Sequence, residues 1–197
     1  MQDTLGRAEA LIALAAEQGF DYLLVLGQIM AGWARAEQGQ EAEGMTQIRQ
    51  GLTAIRVAGA EIVRPYFLAL LSEAYRKVRQ TEEGLRVVAE ALSEGNETGQ
   101  RYYEAELYRL KGELLLAQAV NNRTEAESCY QQALEVSRHR QAKSLELRAA
   151  TSLARLWQSQ GRQEEAHELL ADVYGWFTEG FDTADLIDAK TLLDELA

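Results

Sequence analysis

The sequence predicts an all-α, right-handed superhelical solenoid of antiparallel helix hairpins with a C-terminal capping helix, and three observations predict it. First, small residues recur at a near-constant spacing. Gly32, Ser72, Gly112 and Ala154 stand 40, 40 and 42 residues apart, and the series Gly44, Gly84, Ala126, Ala166 and Gly51, Ala91, Ala133, Val173 keep step with them. Self-similarity at this period marks helix pairs that cannot bury their apolar faces alone and stack on their neighbours. Second, the chain has a single proline, Pro65, and is rich in Ala, Leu, Glu, Gln and Arg, residues that lose little rotamer freedom in a helix. Third, apolar residues recur at three- and four-residue intervals in segments that come in pairs.

Taken in order, residues 1–197 form one repeat domain. Residues 1–19 read as a leading half-repeat, an Ala- and Leu-rich helix of about 4–18 ended by Gly19 and lacking a partner. Four repeats follow, 20–59, 60–99, 100–141 and 142–181. Their turns are Gln38-Gly39-Gln40, Arg79-Gln80-Thr81, the longer Val120-Asn121-Asn122-Arg123 and Gln160-Gly161-Arg162. The third turn carries the extra length behind the 42-residue interval, and length added in a turn leaves the packing register intact. Segment 182–197 is the capping helix. Asp182-Thr183-Ala184-Asp185 has the form of an N-cap followed by an acid, and Leu186, Ala189, Leu192, Leu193 and Leu196 face the last hairpin.

The small series mark where two helices of a hairpin cross closely, because a larger side chain there would push the axes apart. Glycine inside a helix costs about 1 kcal/mol against alanine, which Gly32, Gly44, Gly84 and Gly112 recover through that contact. Acids just after the turns, Glu41, Glu43, Glu82, Glu83, Glu164 and Glu165, start the second helices by complementing their dipoles.

Charge and motifs exclude several function classes. The net charge of −11 is spread along the chain and repels a phosphate backbone, so no nucleic-acid partner is expected. The densest basic stretch, Arg138, His139, Arg140 and Lys143, is short and lies at a junction between hairpins. There is no phosphate loop, dinucleotide turn, HExxH, GxSxG or CxxC, so neither catalysis nor a cofactor is expected. His139 and His167 belong to different repeats, and no metal site is expected. One cysteine, Cys129, permits no intrachain disulfide. With no secretion signal and no run of eighteen apolar residues, no membrane association is expected and the location is read as cytoplasmic.

Leu71-Ser72-x-x-Tyr75, then Gly84 and Ala91-Leu92, places large and small residues as tetratricopeptide repeats do. The chain resembles a set of such repeats, with departures: a period of about 40 rather than 34, no opening tryptophan and no closing proline. More specifically, Tyr103 to Leu116, Ala142 to Gly161 and Val173 to Leu196 resemble the C-terminal repeat region of bacterial multidomain ATPases that often begin with an adenylate/guanylate cyclase domain. The resemblance implies a non-catalytic scaffold, the regulatory or sensing arm of a larger signalling ATPase.

The concave face of such a stack is its usual binding surface, lined by the first helix of each hairpin. Counting from the small positions aims Leu26, Ile29, Trp33, Tyr66, Glu73, Arg76, Glu106, Arg109, Glu113, Arg148, Thr151 and Arg155 at it. This mixture of aromatic and charged groups suits a protein or peptide partner. The alternative is a metabolite sensor that closes the groove around a small molecule. A homodimer through the unpaired leading helix is a further expectation. The aromatic stretch Tyr174, Trp176, Phe177 and Phe181 is read as a wedge holding the final helix on the last hairpin.

Overall fold

The computed structural model describes residues 2–59 and 61–197. Among the described residues the chain forms α1 (Gln2–Gln18), α2 (Asp21–Glu37), α3 (Glu41–Val57), α4 (Arg64–Lys77), α5 (Thr81–Thr98), α6 (Glu104–Gln118), α7 (Arg123–His139), α8 (Lys143–Ser159), α9 (Gln163–Tyr174) and α10 (Ala184–Leu196), and no strand. Short 3-10 turns lie at Glu61–Val63 and Val120–Asn122. The chain divides into two compact units, Met1–Arg101 and Tyr102–Ala197.

In the first unit each helix packs on the next, and α2 also touches α4. The α2–α3 crossing brings backbones together: a Cβ on Gly32 would stand 2.8 Å from the Gly44 carbonyl oxygen, and one on Gly44 would meet the Ala36 amide at 2.7 Å. Further along the same pair, Ile29 fills the space over Gly51. Ile48, Ile55, Leu68, Tyr75 and Val88 complete this core, with Ser72 and Ala91 fully enclosed at the positions the repeat reserves for small residues. Arg64, buried, holds Glu90 and Glu94 of α5, and Arg56 of α3 reaches the same two carboxylates. Pro65 occupies the first turn of α4, where its missing N–H has no intrahelical role.

The second unit repeats the scheme. Helices α6 to α10 pack in sequence, α8 also touches α6, and α10 lies on both α8 and α9. Gly112 faces the Tyr130 ring, which a Cβ would approach to 2.5 Å. Ala126, Ala133, Ala154 and Ala166 are fully enclosed. Glu127 of α7 accepts hydrogen bonds from Trp157 Nε1 at 2.8 Å and from Arg162 at 2.9 Å, while the Arg162 guanidinium sits 4.4 Å above the Trp157 ring. The arginine is thereby fixed over the α8–α9 turn.

Four of the helix-to-helix turns share one geometry, and the α6–α7 corner with its 3-10 turn does not. At Gly39, Arg79, Gln141 and Gly161 the residue is left-handed (φ 89, 58, 56 and 79°), and the next amide returns five residues, to the carbonyls of Arg35, Tyr75, Ser137 and Trp157. This is the Schellman closure, which satisfies carbonyls the helix end leaves open. Arg79 and Gln141 adopt it with a Cβ.

Two expectations are corrected here. The cap of α10 starts at Thr183 in extended conformation, but no side chain of the Asp182-Thr183 pair bonds the helix N-terminus. The aromatic stretch does not form a buried wedge: Trp176 is 58% and Phe181 47% exposed, and Tyr174 and Phe177 are half-buried. Instead Leu186, Ala189, Leu192 and Leu196 are buried where α10 lies on α8 and α9, and Leu170 and Val173 of α9 are buried as well.

Two outcomes follow from the backbone geometry. Arg79→Gly and Gln141→Gly each raise stability by about 0.5–1 kcal/mol in urea denaturation, the relief of left-handed strain exceeding the entropy glycine adds to the unfolded chain. Gly32→Leu lowers it by about 3 kcal/mol in the same assay, because the Gly44 carbonyl cannot yield.

Candidate interaction face

The residues expected on the partner face separate by unit. In the first unit Leu26 and Trp33 of α2 and Tyr66, Glu73 and Arg76 of α4 are half-buried. Trp33 Nε1 and Arg76 Nε are shielded from solvent and find no acceptor among the described residues. Ile29 does not reach the surface: it is fully enclosed, because the missing side chain at Gly51 draws it into the α2–α3 contact.

In the second unit the expected residues come together as a ladder of charges. Arg109 grips Glu106 with two hydrogen bonds, Nε to Oε2 at 3.0 Å and Nη2 to Oε1 at 2.8 Å, and extends to Glu113 at 3.3 Å. Arg148 of α8 reaches across to Glu106 at 2.9 Å. On its other side Arg148 approaches Asp185 of α10 at 3.9 Å, and Arg155 pairs with Asp188. Acid, base and acid thus alternate over α6, α8 and α10.

Burial sorts this ladder into support and surface. Glu106 and Arg109 are both buried, so their bidentate pair must be internally satisfied to repay desolvation, and it is. They shape the face from beneath. Arg148, with its side chain 27% exposed, and Arg155, at 48%, are the groups a partner can touch. Thr151 is buried with its hydroxyl donating to the Leu147 carbonyl in its own helix, so it offers nothing outward.

Sequence reasoning missed Ser152, Asp185 and Asp188. The Ser152 hydroxyl donates to Glu113 at 2.8 Å and lies 3.4 Å from Arg109, taking the place assigned to Thr151 one residue earlier. The signal was present: Ser152 follows Arg148 by four residues, one helical turn on the same face. The two aspartates belong to the capping helix, whose pairing depends on how α10 lies on α8.

At the N-terminal end of α8, Glu146 is buried beside Arg138 (2.8 Å) and Lys143 (2.7 Å). Burial alone would raise its carboxyl, but the hydrogen bonds from Lys143 and Arg138 prevail and hold it below the usual carboxylate range. Burial pushes the Cys129 thiol up, away from the reactive thiolate. Among the described residues no group of three or more His, Cys, Asp or Glu side chains stands together as a metal site would require. No described helix is long and apolar enough to cross a membrane.

No protein-family model matches the chain. It is 30% identical over 128 residues to an uncharacterised protein of Rhizobium meliloti (strain 1021), a match covering 65% of this chain and 12% of that protein. The chain therefore spans a small part of the curated relative's length. Among solved structures it is similar to BtubC (BKLC) from P. vanneervenii, with a TM-score of 0.72, 14% identity and coverage of 99% of this chain and 89% of that one. It is also similar to nearly identical TPR-like repeats assigned to a kinesin light chain of Podosopora anserina, with a TM-score of 0.64, 18% identity and coverage of 87% and 84%. These likenesses show the fold, an all-α array of TPR-like helix hairpins.

The Glu146 site has a pH signature. Its folded carboxyl titrates below the unfolded value of 4.5, so the unfolded chain binds the extra proton and stability is lost as pH falls through that window. Urea denaturation of wild type and Glu146→Gln is expected to show a full stability gap above about pH 5.5 that narrows progressively below pH 4.5.

Proposed function

We propose that this chain is a non-catalytic protein-interaction arm, and that a protein or peptide partner docks on the α6–α8 face of its second unit. The observation that carries the reading is the alternation of charge there, with Arg148 and Arg155 partly open over a buried Glu106–Arg109 support. Preset charges of both signs select a register and reject mismatched partners more than they add affinity. Rigid aromatic and arginine groups in the first unit, Trp33, Tyr66 and Arg76, suit the same use.

The larger context proposed is a bacterial signalling ATPase of cytoplasmic location, in which this arm senses or scaffolds while other domains turn over nucleotide. Two things support it: the resemblance of Tyr103–Leu116, Ala142–Gly161 and Val173–Leu196 to the repeat regions of such proteins, and the match to a relative of which the aligned part is only 12%. The leading helix is not the partnerless helix expected from the sequence, so a homodimer through it loses its ground. It packs on α2 through Ala8 and Ala15 and leaves Leu14, with Phe20, Tyr22 and Leu23 beyond it, exposed.

A photo-crosslinking amino acid placed at Arg155 in cells is expected to capture a protein adduct that the same group at exposed Gln132 of α7 does not. Equal capture at both positions, or none at Arg155, contradicts the proposed face. The purified chain is expected to hydrolyse neither ATP nor GTP, and its Tm to stay unchanged across a broad metabolite set. A ligand that raised Tm by mass action would favour the small-molecule sensor instead.

A further inference from the structure

The repeats satisfy equivalent polar positions differently. Glu113, one 40-residue period after Glu73, accepts hydrogen bonds from Ser152 and Arg109. Glu73 itself is half-buried and has no hydrogen bond or ion pair among the described residues. Arg76, also half-buried, has no ion pair among them, and its Nε–H is shielded from solvent without an acceptor. The Trp33 indole N–H is shielded likewise, whereas that of Trp157 donates to Glu127. Shielded donors without acceptors are costly and rare in native proteins, so each calls for a physical account. These three side chains share one face. Helix α3 is antiparallel to α2, since Gly32 meets Gly44 while Ile29 meets Gly51. It is antiparallel to α4 as well, since Arg49 covers the Tyr75 ring while Arg56 and Arg64 converge on Glu90 and Glu94. So α2 and α4 are parallel neighbours, and the Glu37–Lys77 ion pair sets their register. One turn back along both helices Trp33 stands level with Glu73, and Arg76 follows Glu73 by three residues.

The chemistry of this face selects its occupant. It offers N–H donors from Trp33 and Arg76, a carboxylate acceptor from Glu73 and an indole surface, and the charges of Glu73 and Arg76 cancel. A phosphate or nucleic acid meets one arginine beside an acid, in a chain of net charge −11. A metal ion meets a single carboxylate. A folded helical surface, a second copy of this chain included, keeps its main-chain N–H and C=O groups bonded internally and has only side chains to offer, which lose rotamer entropy on reaching in. An extended segment presents free carbonyls and amides along its edge, at about 3.3 Å per residue. Its carbonyls complete Trp33 and Arg76, and an amide N–H completes Glu73. Leu26 and Tyr66, half-buried two turns earlier on the same helices, border its side chains.

We infer, on the reading of this chain as a protein-interaction arm, that Trp33, Glu73 and Arg76 form a site on the α2–α4 face that reads the main chain of an unstructured, extended segment of a partner protein. The test is selection of a displayed random dodecapeptide library on the full chain, followed by affinity measurement of the enriched synthetic peptides. Trp33→Phe, which keeps a ring and deletes the N–H, and Glu73→Met are each expected to weaken these peptides about fivefold to tenfold, with circular dichroism unchanged. Methylating the peptides' main-chain amides one at a time is expected to cost about tenfold at one position or more, and no single side-chain alanine substitution as much. In the nitrogen-15-labelled wild-type chain, whose three indole signals are assigned by replacing each tryptophan with phenylalanine, the peptides are expected to shift the Trp33 signal downfield and leave that of Trp157 in place. Arg155→Glu is expected to leave their affinity intact. No enrichment, an unmoved Trp33 signal, or affinity indifferent to amide methylation would overturn the inference. Loss with Arg155→Glu but not with Glu73→Met would also overturn it, placing the peptides on the α6–α8 face. An adduct still captured at Arg155 in the absence of enrichment would show that the α2–α4 site alone has failed.

Discussion

The close backbone contact between the two helices of a hairpin is the constraint on which the rest depends. At Gly32 and Gly44 the α2 and α3 backbones meet with no room for a methyl group. That approach sets the interaxial distance, and the distance decides which side chains reach the core and which reach the surface. Ile29 reaches the interior because Gly51 makes room for it. Elsewhere the same demand is met with different chemistry: Gly112 makes room for the Tyr130 ring, while Ala126 and Ala166 are closed in without glycine. Packing at native density transmits such local choices, because an interior without voids cannot absorb a misplaced side chain.

Upon this spacing the second unit builds a polar surface with two depths. The lower layer, Glu106 with Arg109, is enclosed and mutually satisfied, and it fixes the orientation of what lies above. The upper layer, Arg148 and Arg155, is steadied by the aspartates of α10. Surface ion pairs of this exposure contribute little to stability, typically about 0–1 kcal/mol. They hold the guanidinium groups in a defined geometry, which leaves those side chains less conformational entropy to lose in any further contact.

Much of this was legible in the residues. The recurrence of Gly32, Ser72, Gly112 and Ala154 located the crossings, and the helix pairs and turns lie where the period places them. What the period could not supply was helix phase finer than one residue, about 100° of rotation. Hence periodicity alone puts Thr151 in the place that Ser152 holds and aims Ile29 outward, although a glycine on the facing helix draws it in. The pairing of Asp185 and Asp188 arises from the seating of α10, a tertiary fact without local periodicity. Aromatic content alone does not distinguish core from contact, so Trp176 and Phe181 could be sorted only by their exposure.

The 3-10 turn Val120–Asn122 has a consequence for how such arrays change length. Asn122 closes it by donating its side-chain amide to the Leu115 carbonyl at 3.1 Å, so the added residues are anchored to the end of α6 while α7 begins in phase. Indels confined to this corner leave the buried repeats untouched, whereas one residue gained inside a helix would rotate every later contact. Drift in repeat length is therefore channelled into the corners, which makes this loop the natural place to graft a foreign epitope or a fluorescent reporter.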